Sequence, residues 1–267
     1  MLSKTSWSTH LVGGYTSYTY LTTNADGTFK YRLDLNLFRD CKPSSADFVK
    51  TIEIGIYKDA ALQDLIQKVS ISNPSINKVN PPGNTPCPFL LQNVCVEKGF
   101  FSTIINLPSI NSGYHIVYQV CCRNTQVNLA DNNGTTQGQT YYAFIPSPEK
   151  IINSSPRFSG VPVPYMCQNE LSDFLLRAID PDGDSLVYRS SRPYQGASVI
   201  DPNPSPPQFK PSQKGVNYAN GFSENQPFGN SGSFSVNPRT GLTSLLSKNT
   251  GNFTVGIEVR EFRNGVD

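Results

Sequence analysis

A short acidic run is the part of this sequence best suited to chemistry. Asp180, Asp182 and Asp184 occupy every second position, Gly183 lies between the last two, and an apolar, β-prone stretch follows at once. A turn that carries this many carboxylates needs a cation or hydrogen-bond donors to stabilise it. The run therefore predicts a bent, acidic connection that leads directly into a β-strand.

Calcium is the cation that this turn fits best. Ca²⁺ takes about six to eight oxygen ligands, and carboxylates are among those it prefers. The three aspartates are candidate ligands, and backbone carbonyls, water or a neighbouring acid such as Glu258 or Glu261 would complete the set. An EF-hand is excluded because Ser191 stands where that loop requires its last glutamate. A solvated turn held by aspartate-to-backbone hydrogen bonds is the alternative.

The cysteines predict disulfide bonds. They are Cys41, Cys87, Cys95, Cys121, Cys122 and Cys167. No Cys-x-x-Cys pair occurs, which disfavours zinc and thioredoxin-like chemistry, and scattered cysteines are typical of an oxidising compartment. Buried free thiols are the alternative, and the connectivity is open. Because successive side chains of a strand point to opposite faces, the adjacent Cys121 and Cys122 are predicted to bond to different partners.

Composition excludes some classes of partner. Only 16% of the 267 residues are charged and the net charge is +2, without any cluster of Lys and Arg, which argues against a nucleic-acid partner. No apolar stretch is long enough to span a bilayer, so no membrane insertion is expected. No complete signal peptide is visible, so an exported protein would have lost its signal or would begin upstream.

Alternating apolar and polar residues predict an all-β chain. The clearest strand is 29–38, which follows a hairpin signal at Asp26-Gly27. Further strands are predicted at 11–21, 51–57, 69–71, 99–107, 114–122 and 140–145, with a long loop over 73–88. Apolar residues at helical spacing in 62–69 predict a short helical turn or loop before the strand at 69–71.

A second unit follows a linker rich in proline and serine at 146–156. Its strands are predicted at 174–178, 186–190, 234–236 and 252–262, with a proline-dense loop over 202–211. A hairpin signal at 264–265 lacks its second strand, so the chain is expected to end inside its last sheet. The predicted fold is all-β, with two tandem antiparallel β-sandwich domains at 8–150 and 156–267.

The sequence does not predict catalysis. His10 and His115 are the only histidines, and no nucleophile elbow, phosphate-binding loop or dinucleotide fingerprint is present, so the chain is expected not to be an enzyme. Arg39 and Arg123 lie close to cysteines at strand ends. They are predicted to form buried polar clusters that lock loops around a disulfide.

Several local sequences occur in one order along the chain. They are Thr-His-Leu-Val-Gly-Gly at 9–14, Leu-Phe-Arg-Asp-Cys at 37–41, Val-Cys-Val-Glu at 94–97, Tyr-Gln-Val-Cys-Cys-Arg-Asn at 118–124, Asn-Ser-Ser-Pro at 153–156, the aspartate turn, Asn-Pro-Arg-Thr-Gly at 237–241 and Glu-Phe-Arg-Asn-Gly at 261–265. Together they resemble the N-terminal region of large cell-surface proteins of Bacteroidota. Such proteins often carry a gliding-motility-associated C-terminal domain and leave the cell by type IX secretion. The second unit is similar to the cadherin-like or immunoglobulin-like modules of these proteins.

The resemblance implies an extracellular or cell-surface location and a non-catalytic module that acts in adhesion or as a structural stalk. Its partner would be a cell-surface or extracellular polymer, either a glycan or a protein. A carbohydrate-binding accessory region of a secreted enzyme is the alternative, since exposed tyrosines in long loops can stack on sugars. Trp7 is the only tryptophan, and this scarcity favours ordinary β-sheet aromatics.

Overall fold

The computed structural model describes residues 11–42, 45, 47–58, 64–79, 95–160, 165–208 and 215–263. Within these residues the chain is all-β, as predicted, and contains no helix. Accordingly, the described residues include no helix that is long and apolar enough to cross a membrane. Trp7, His10, Cys87 and the predicted hairpin at 264–265 lie outside the described residues.

The first half folds as two four-stranded antiparallel sheets. Its strands are β1 (Leu11–Thr23), β2 (Phe29–Asp40), β3 (Thr51–Tyr57), β4 (Leu65–Ser72), β5 (Ser75–Val79), β6 (Val96–Leu107), β7 (Tyr114–Val120) and β8 (Gln139–Ile145). One sheet has the order β1-β2-β6-β5 and the other has the order β4-β3-β7-β8. The predicted hairpin between β1 and β2 is confirmed, with Gly27 at φ = +80° in its turn.

The core consists of apolar residues from both of these sheets. Leu33, Leu35 and Leu37 of β2 are fully buried and belong to one cluster with Ile54 and Ile56 of β3. Each such side chain stabilises the fold by roughly 1.5 to 3 kcal/mol relative to an exposed one. The alternation that predicted β2 therefore arises because one face of the strand packs in the apolar core, while its other face is also buried but carries polar side chains at 34 and 36.

Two local predictions in this half are corrected by the structure. Residues from Leu65 onward form β4 and not a helical turn or loop, because Val69 and Ile71 pair with Ile54 and Ile52 of β3. Cross-strand pairing thus overrides the helical spacing. The region predicted as a long loop contains β5, which pairs with β6.

The second half contains short strands in three small sheets. They are β9 (Arg157–Phe158), β10 (Ser172–Leu175), β11 (Ala178–Ile179), β12 (Ser185–Ser190), β13 (Ser233–Val236), β14 (Leu242–Leu246) and β15 (Ile257–Phe262). The sheets have the orders β10-β14-β13, β11-β9 and β12-β15. The closing strand predicted at 252–262 is shorter in the structure, since β15 begins at Ile257. The division into domains at 8–150 and 156–267 stays a prediction.

Hydrogen bonds connect the two halves at several separate places. At one of them, Ser155 N donates to Tyr18 O (3.0 Å) and Tyr18 N donates to Ser155 Oγ (2.8 Å). At another, the fully buried Asn128 donates through Nδ2 to Pro227 O (3.1 Å) and Thr254 O (2.8 Å). The halves therefore pack against each other and are joined by more than the chain between them.

Candidate metal centre

The predicted aspartate turn connects β11 to β12 and is closed by its own carboxylate. Asp180 Oδ1 accepts hydrogen bonds from the backbone N–H groups of Asp182 and Asp184, both at 2.9 Å. Gly183 adopts φ = +82°, a left-handed conformation that glycine reaches without steric cost. This is the bonding pattern of an Asx turn, so the local sequence alone accounts for the bend.

Strand pairing adds a third acid to the turn. Glu261 of β15 lies opposite Leu186 of β12, and Leu186 is close in sequence to Asp184. Asp180, Asp184 and Glu261 each place one carboxylate oxygen within 4.8 Å of the other two. These three residues, called the acidic cluster below, can hold a metal ion.

Two other acids considered from the sequence lie outside the acidic cluster. Asp182 Oδ2 accepts a 2.6 Å hydrogen bond from the backbone N–H of Ser154. Glu258 is an odd number of residues from Glu261 on the same strand, so its side chain faces the opposite side. There it forms an ion pair with Arg189 at 2.8 Å. The alternation of β15 therefore selects Glu261 as the neighbour of the turn.

Arg263 brings a positive charge to the edge of the acidic cluster. Its Nε and Nη2 donate to the two carboxylate oxygens of Asp184, both at 2.7 Å, and this two-bond geometry is the strong form of an Arg–carboxylate pair. It also donates to Ile152 O (2.9 Å) and Asn153 Oδ1 (3.0 Å). Hydrogen bonding to Asp184 raises the pKa of Arg263 above its usual value. Arg263 thus ties the cluster to the segment before β9.

The acidic cluster carries more negative charge than its surroundings neutralise. With Asp182 included, four carboxylates lie near one guanidinium, which leaves three negative charges (four minus one) when all are ionised. Asp180 Oδ2 and Glu261 Oε2 are buried and accept no hydrogen bond. A buried anion without a partner is costly, so a proton or a cation is expected at these oxygens.

Glu261 responds to this environment with a raised pKa. Burial is the largest cause and raises the pKa of its carboxyl group to about 7, with repulsion from Asp180 and Asp184 acting in the same direction. A hydrogen bond from Asn153 opposes the shift. Because a metal ligand must be deprotonated, protons and metal ions compete for Glu261 near neutral pH.

Asn153 connects the acidic cluster to the first half of the chain. Its Nδ2 donates to Glu261 Oε1 and to Tyr18 Oη, the latter at 3.0 Å. Tyr18 belongs to β1 and is almost fully buried, and this burial raises the pKa of its hydroxyl. The acidic cluster therefore lies beside the contact of Tyr18 with Ser155, one of several places where the halves meet.

The cysteines within the described residues are disulfide-bonded, as predicted. Cys41 and Cys95 form a bond beyond the paired ends of β2 and β6, with their Cα atoms 5.0 Å apart. Beside them, the buried Arg39 donates to Glu97 through Nε (3.0 Å) and Nη2 (2.7 Å). This is a polar cluster around a disulfide of the kind predicted. Cys167 is also disulfide-bonded.

The prediction that Cys121 and Cys122 have different partners is wrong, because the two bond to each other. β7 ends at Val120, so strand alternation does not apply to them, and a cis peptide bond places their Cα atoms 3.0 Å apart. The next residue, Arg123, donates through Nη2 to Tyr194 O at 3.1 Å. Burial lowers the pKa of Arg123 to about 10.

No protein-family model, curated protein or solved structure matches this chain. The chemistry of the acidic cluster is therefore argued from its own geometry.

Sequence reasoning missed two neighbours of the acidic cluster, Arg263 and Asn153. Alternation along β15 places 261 and 263 on the same face and would have indicated Arg263. No local pattern indicates Asn153, because its role depends on how its segment packs against β1.

Proposed function

We propose that the chain is a non-catalytic, extracellular module of a large surface protein, and that it acts as a stiff stalk or adhesion segment with Ca²⁺ bound at the acidic cluster. The observation that carries this proposal is the position of the cluster between the two halves. Asn153 donates to Glu261 there, and Ser154 donates to Asp182. A cation at the cluster would hold β12, β15 and the segment before β9 in one arrangement.

Calcium is the proposed ion because of the ligands and their setting. The cluster offers hard carboxylate oxygens on a turn and a strand, and Ca²⁺ accepts irregular geometry with water completing its shell. Mg²⁺ demands near-ideal octahedral geometry and keeps most of its water. Asp180, Asp184 and Glu261 would be the protein ligands, with Arg263 orienting Asp184 from outside.

The remaining features support a mechanical role outside the cell. The bond between Cys41 and Cys95 links residues 54 positions apart, and such disulfides persist in oxidising compartments. Carbohydrate binding, the alternative, would use exposed aromatic faces. Among the described residues, only Phe144 at 42% and Tyr194 at 37% are exposed aromatic side chains. The stalk is therefore the function we propose.

A thermal melt with added Ca²⁺ and then with chelator tests the metal part of the proposal. At 100 times the dissociation constant, a ligand that binds only the folded state adds about 2.7 kcal/mol, which raises the melting temperature by roughly 5 to 10 °C in a chain of this size. Asp180→Asn should remove most of the gain. Asp173→Asn is the matched control, since Asp173 contacts Ser244 and not the cluster. Equal melting temperatures with Ca²⁺ and with chelator would refute calcium binding.

Force spectroscopy tests the mechanical part. The chain is pulled from its two ends in Ca²⁺ and again in chelator. The proposal expects a higher unfolding force with Ca²⁺, because the ion joins segments that separate when the halves come apart. Identical force distributions in the two buffers, from a protein shown to bind Ca²⁺, would contradict a load-bearing role for the site.

A further inference from the structure

A cleft of about 380 Å³ opens between β10, β11, β12 and the turn that precedes β14. Leu175, Arg177, Leu186, Tyr188 and Arg239 are among its lining residues. Its volume falls within the roughly 300 to 1,000 Å³ typical of ligand sites. No residue of the acidic cluster lines it, so the cleft is a separate feature of the second half, called the arginine cleft below.

The arginine cleft carries positive charge that no lining residue neutralises. Arg177 and Arg239 are exposed, and neither guanidinium has a hydrogen bond or ion pair with any residue in the described part of the chain. No carboxylate lines the cleft. Each guanidinium presents five N–H donors in a planar fork that matches a carboxylate. The cleft is therefore complementary to an anionic ligand.

The floor of the arginine cleft is aliphatic. Leu175 is 60% exposed and Leu186 lies beside it. Tyr188, the one aromatic lining residue, is only 3% exposed, and its hydroxyl is bonded to the backbone N–H of Ala178 at 2.9 Å. A sugar ring would therefore find no aromatic face to stack on. The floor suits aliphatic side chains instead.

The turn that carries Arg239 is fixed in position. Asn237 Oδ1 accepts hydrogen bonds from the backbone N–H groups of Arg239 (3.0 Å) and Thr240 (3.1 Å). Gly241 ends this turn at φ = +73°, and a Cβ there would lie 2.6 Å from Leu176 O. The turn is thus closely packed, so an anion would meet a largely formed site.

An edge strand lies next to the cleft. β10, which ends at Leu175, is the first strand in the sheet order β10-β14-β13 and pairs with β14 alone. An edge strand offers backbone N–H and C=O groups to an added strand. Leu175 at the end of β10 and Leu171 just before the strand are 60% and 64% exposed. The strand edge, the aliphatic floor and the two arginines together determine which ligand fits this surface.

We infer that the arginine cleft and the edge of β10 bind an extended peptide segment of a partner protein in which aliphatic and acidic residues alternate. The aliphatic side chains pack on Leu175 and Leu186. The carboxylates accept hydrogen bonds from Arg177 and Arg239. No residue of the acidic cluster lines the cleft, so the test is done in chelator, where the calcium site is empty.

Fluorescence polarisation with a labelled hexapeptide of alternating leucine and glutamate tests the inference. The structure predicts saturable binding that weakens as salt is raised from about 0.05 M to about 0.5 M, because the charge pairs are partly exposed. Arg177→Gln and Arg239→Gln should each weaken binding about 5- to 20-fold. Arg189→Gln is the matched control and should change it less than about 2-fold, since Arg189 is paired with Glu258.

A second variant and second probes keep the test decisive. Leu175→Glu places a carboxylate beside the arginines at an exposed position and should abolish binding while the melting temperature is kept. The same peptide with glutamine in place of glutamate should bind at least about 5-fold more weakly. Equal binding of both peptides, no binding of either, or tighter binding of an oligogalacturonate than of the acidic peptide would each overturn the inference.

Discussion

Replacing Glu261 by glutamine should make the metal-free protein more stable at alkaline pH. The pKa of this carboxyl group is raised from 4.5 to about 7 by burial and by the neighbouring aspartates. The folded state therefore holds the proton more tightly than the unfolded state does. It follows that wild-type stability from this group is greatest below pH 4.5, falls between pH 4.5 and pH 7, and is constant above that range.

The size of the effect follows from the same shift. A rise from 4.5 to about 7 corresponds to about 3.4 kcal/mol at 1.36 kcal/mol for each pH unit. Because the carboxyl group keeps partial contact with solvent, screening reduces the expected value to about 1 to 2 kcal/mol. Glu261→Gln removes this cost, since glutamine cannot ionise. The variant should match the wild type at pH 4.5 and exceed it by about 1 to 2 kcal/mol at pH 8.

Urea denaturation in chelator at several pH values between 4.5 and 8 measures this difference. Added Ca²⁺ should then reverse the order at pH 8, because the wild type gains binding free energy and the variant has lost a ligand. Glu258→Gln is the control: it breaks an exposed pair with Arg189 and should cost about 0.2 to 1 kcal/mol at every pH tested. A wild-type minus Glu261→Gln difference that does not change with pH would refute the account of the acidic cluster.

Three further predictions concern stability and are tested by the same denaturation assay. Replacing Cys41 and Cys95 together by serine should lower the free energy of unfolding by about 2 to 4 kcal/mol, because a long loop is released in the unfolded state; an unchanged midpoint would contradict this. Asn128→Ala should cost about 2 to 4 kcal/mol, since it leaves two buried carbonyls and one buried N–H group without partners, whereas the exposed Asn77→Ala should cost less than about 0.5 kcal/mol. Arg123→Met should change stability by less than about 1 kcal/mol or increase it, because the buried guanidinium bonds to a carbonyl and not to a carboxylate. A loss above about 3 kcal/mol would instead indicate an anionic partner for that arginine.

Strands with one face in the apolar core were the most predictable part of the fold. The predicted strand at 29–38 became β2 and the one at 51–57 matches β3, since the residues that face the core recur at every second position of a strand. β4 and β5 were not predictable in the same way. β5 is exposed along most of its length, so burial imposes no pattern on it, and β4 carries a helical spacing that pairing with β3 overrides.

The part of the candidate site that depends on residues close together in the sequence was predictable. The spacing of Asp180 and Asp184 around a glycine indicated the turn, and Glu261 was one of two acids named for a neighbouring strand. The choice between those two acids required the register of β12 against β15, which the sequence does not give. The place of Asn153 required the packing of one half against the other, which is a long-range property.

Several separate contacts between the halves make the module stiffer than its connecting segment alone would. A single covalent connection leaves two bodies free to rotate about backbone bonds, and a second contact away from it removes that freedom. The acidic cluster lies at the contact of Tyr18 with Ser155, while Asn128, Tyr57 and Thr140 form contacts elsewhere. Loss of the cation should therefore weaken one contact and leave the others in place. The radius of gyration from small-angle scattering should then stay the same in chelator even though stability falls, and an expansion on chelation would show that the ion alone holds the halves together.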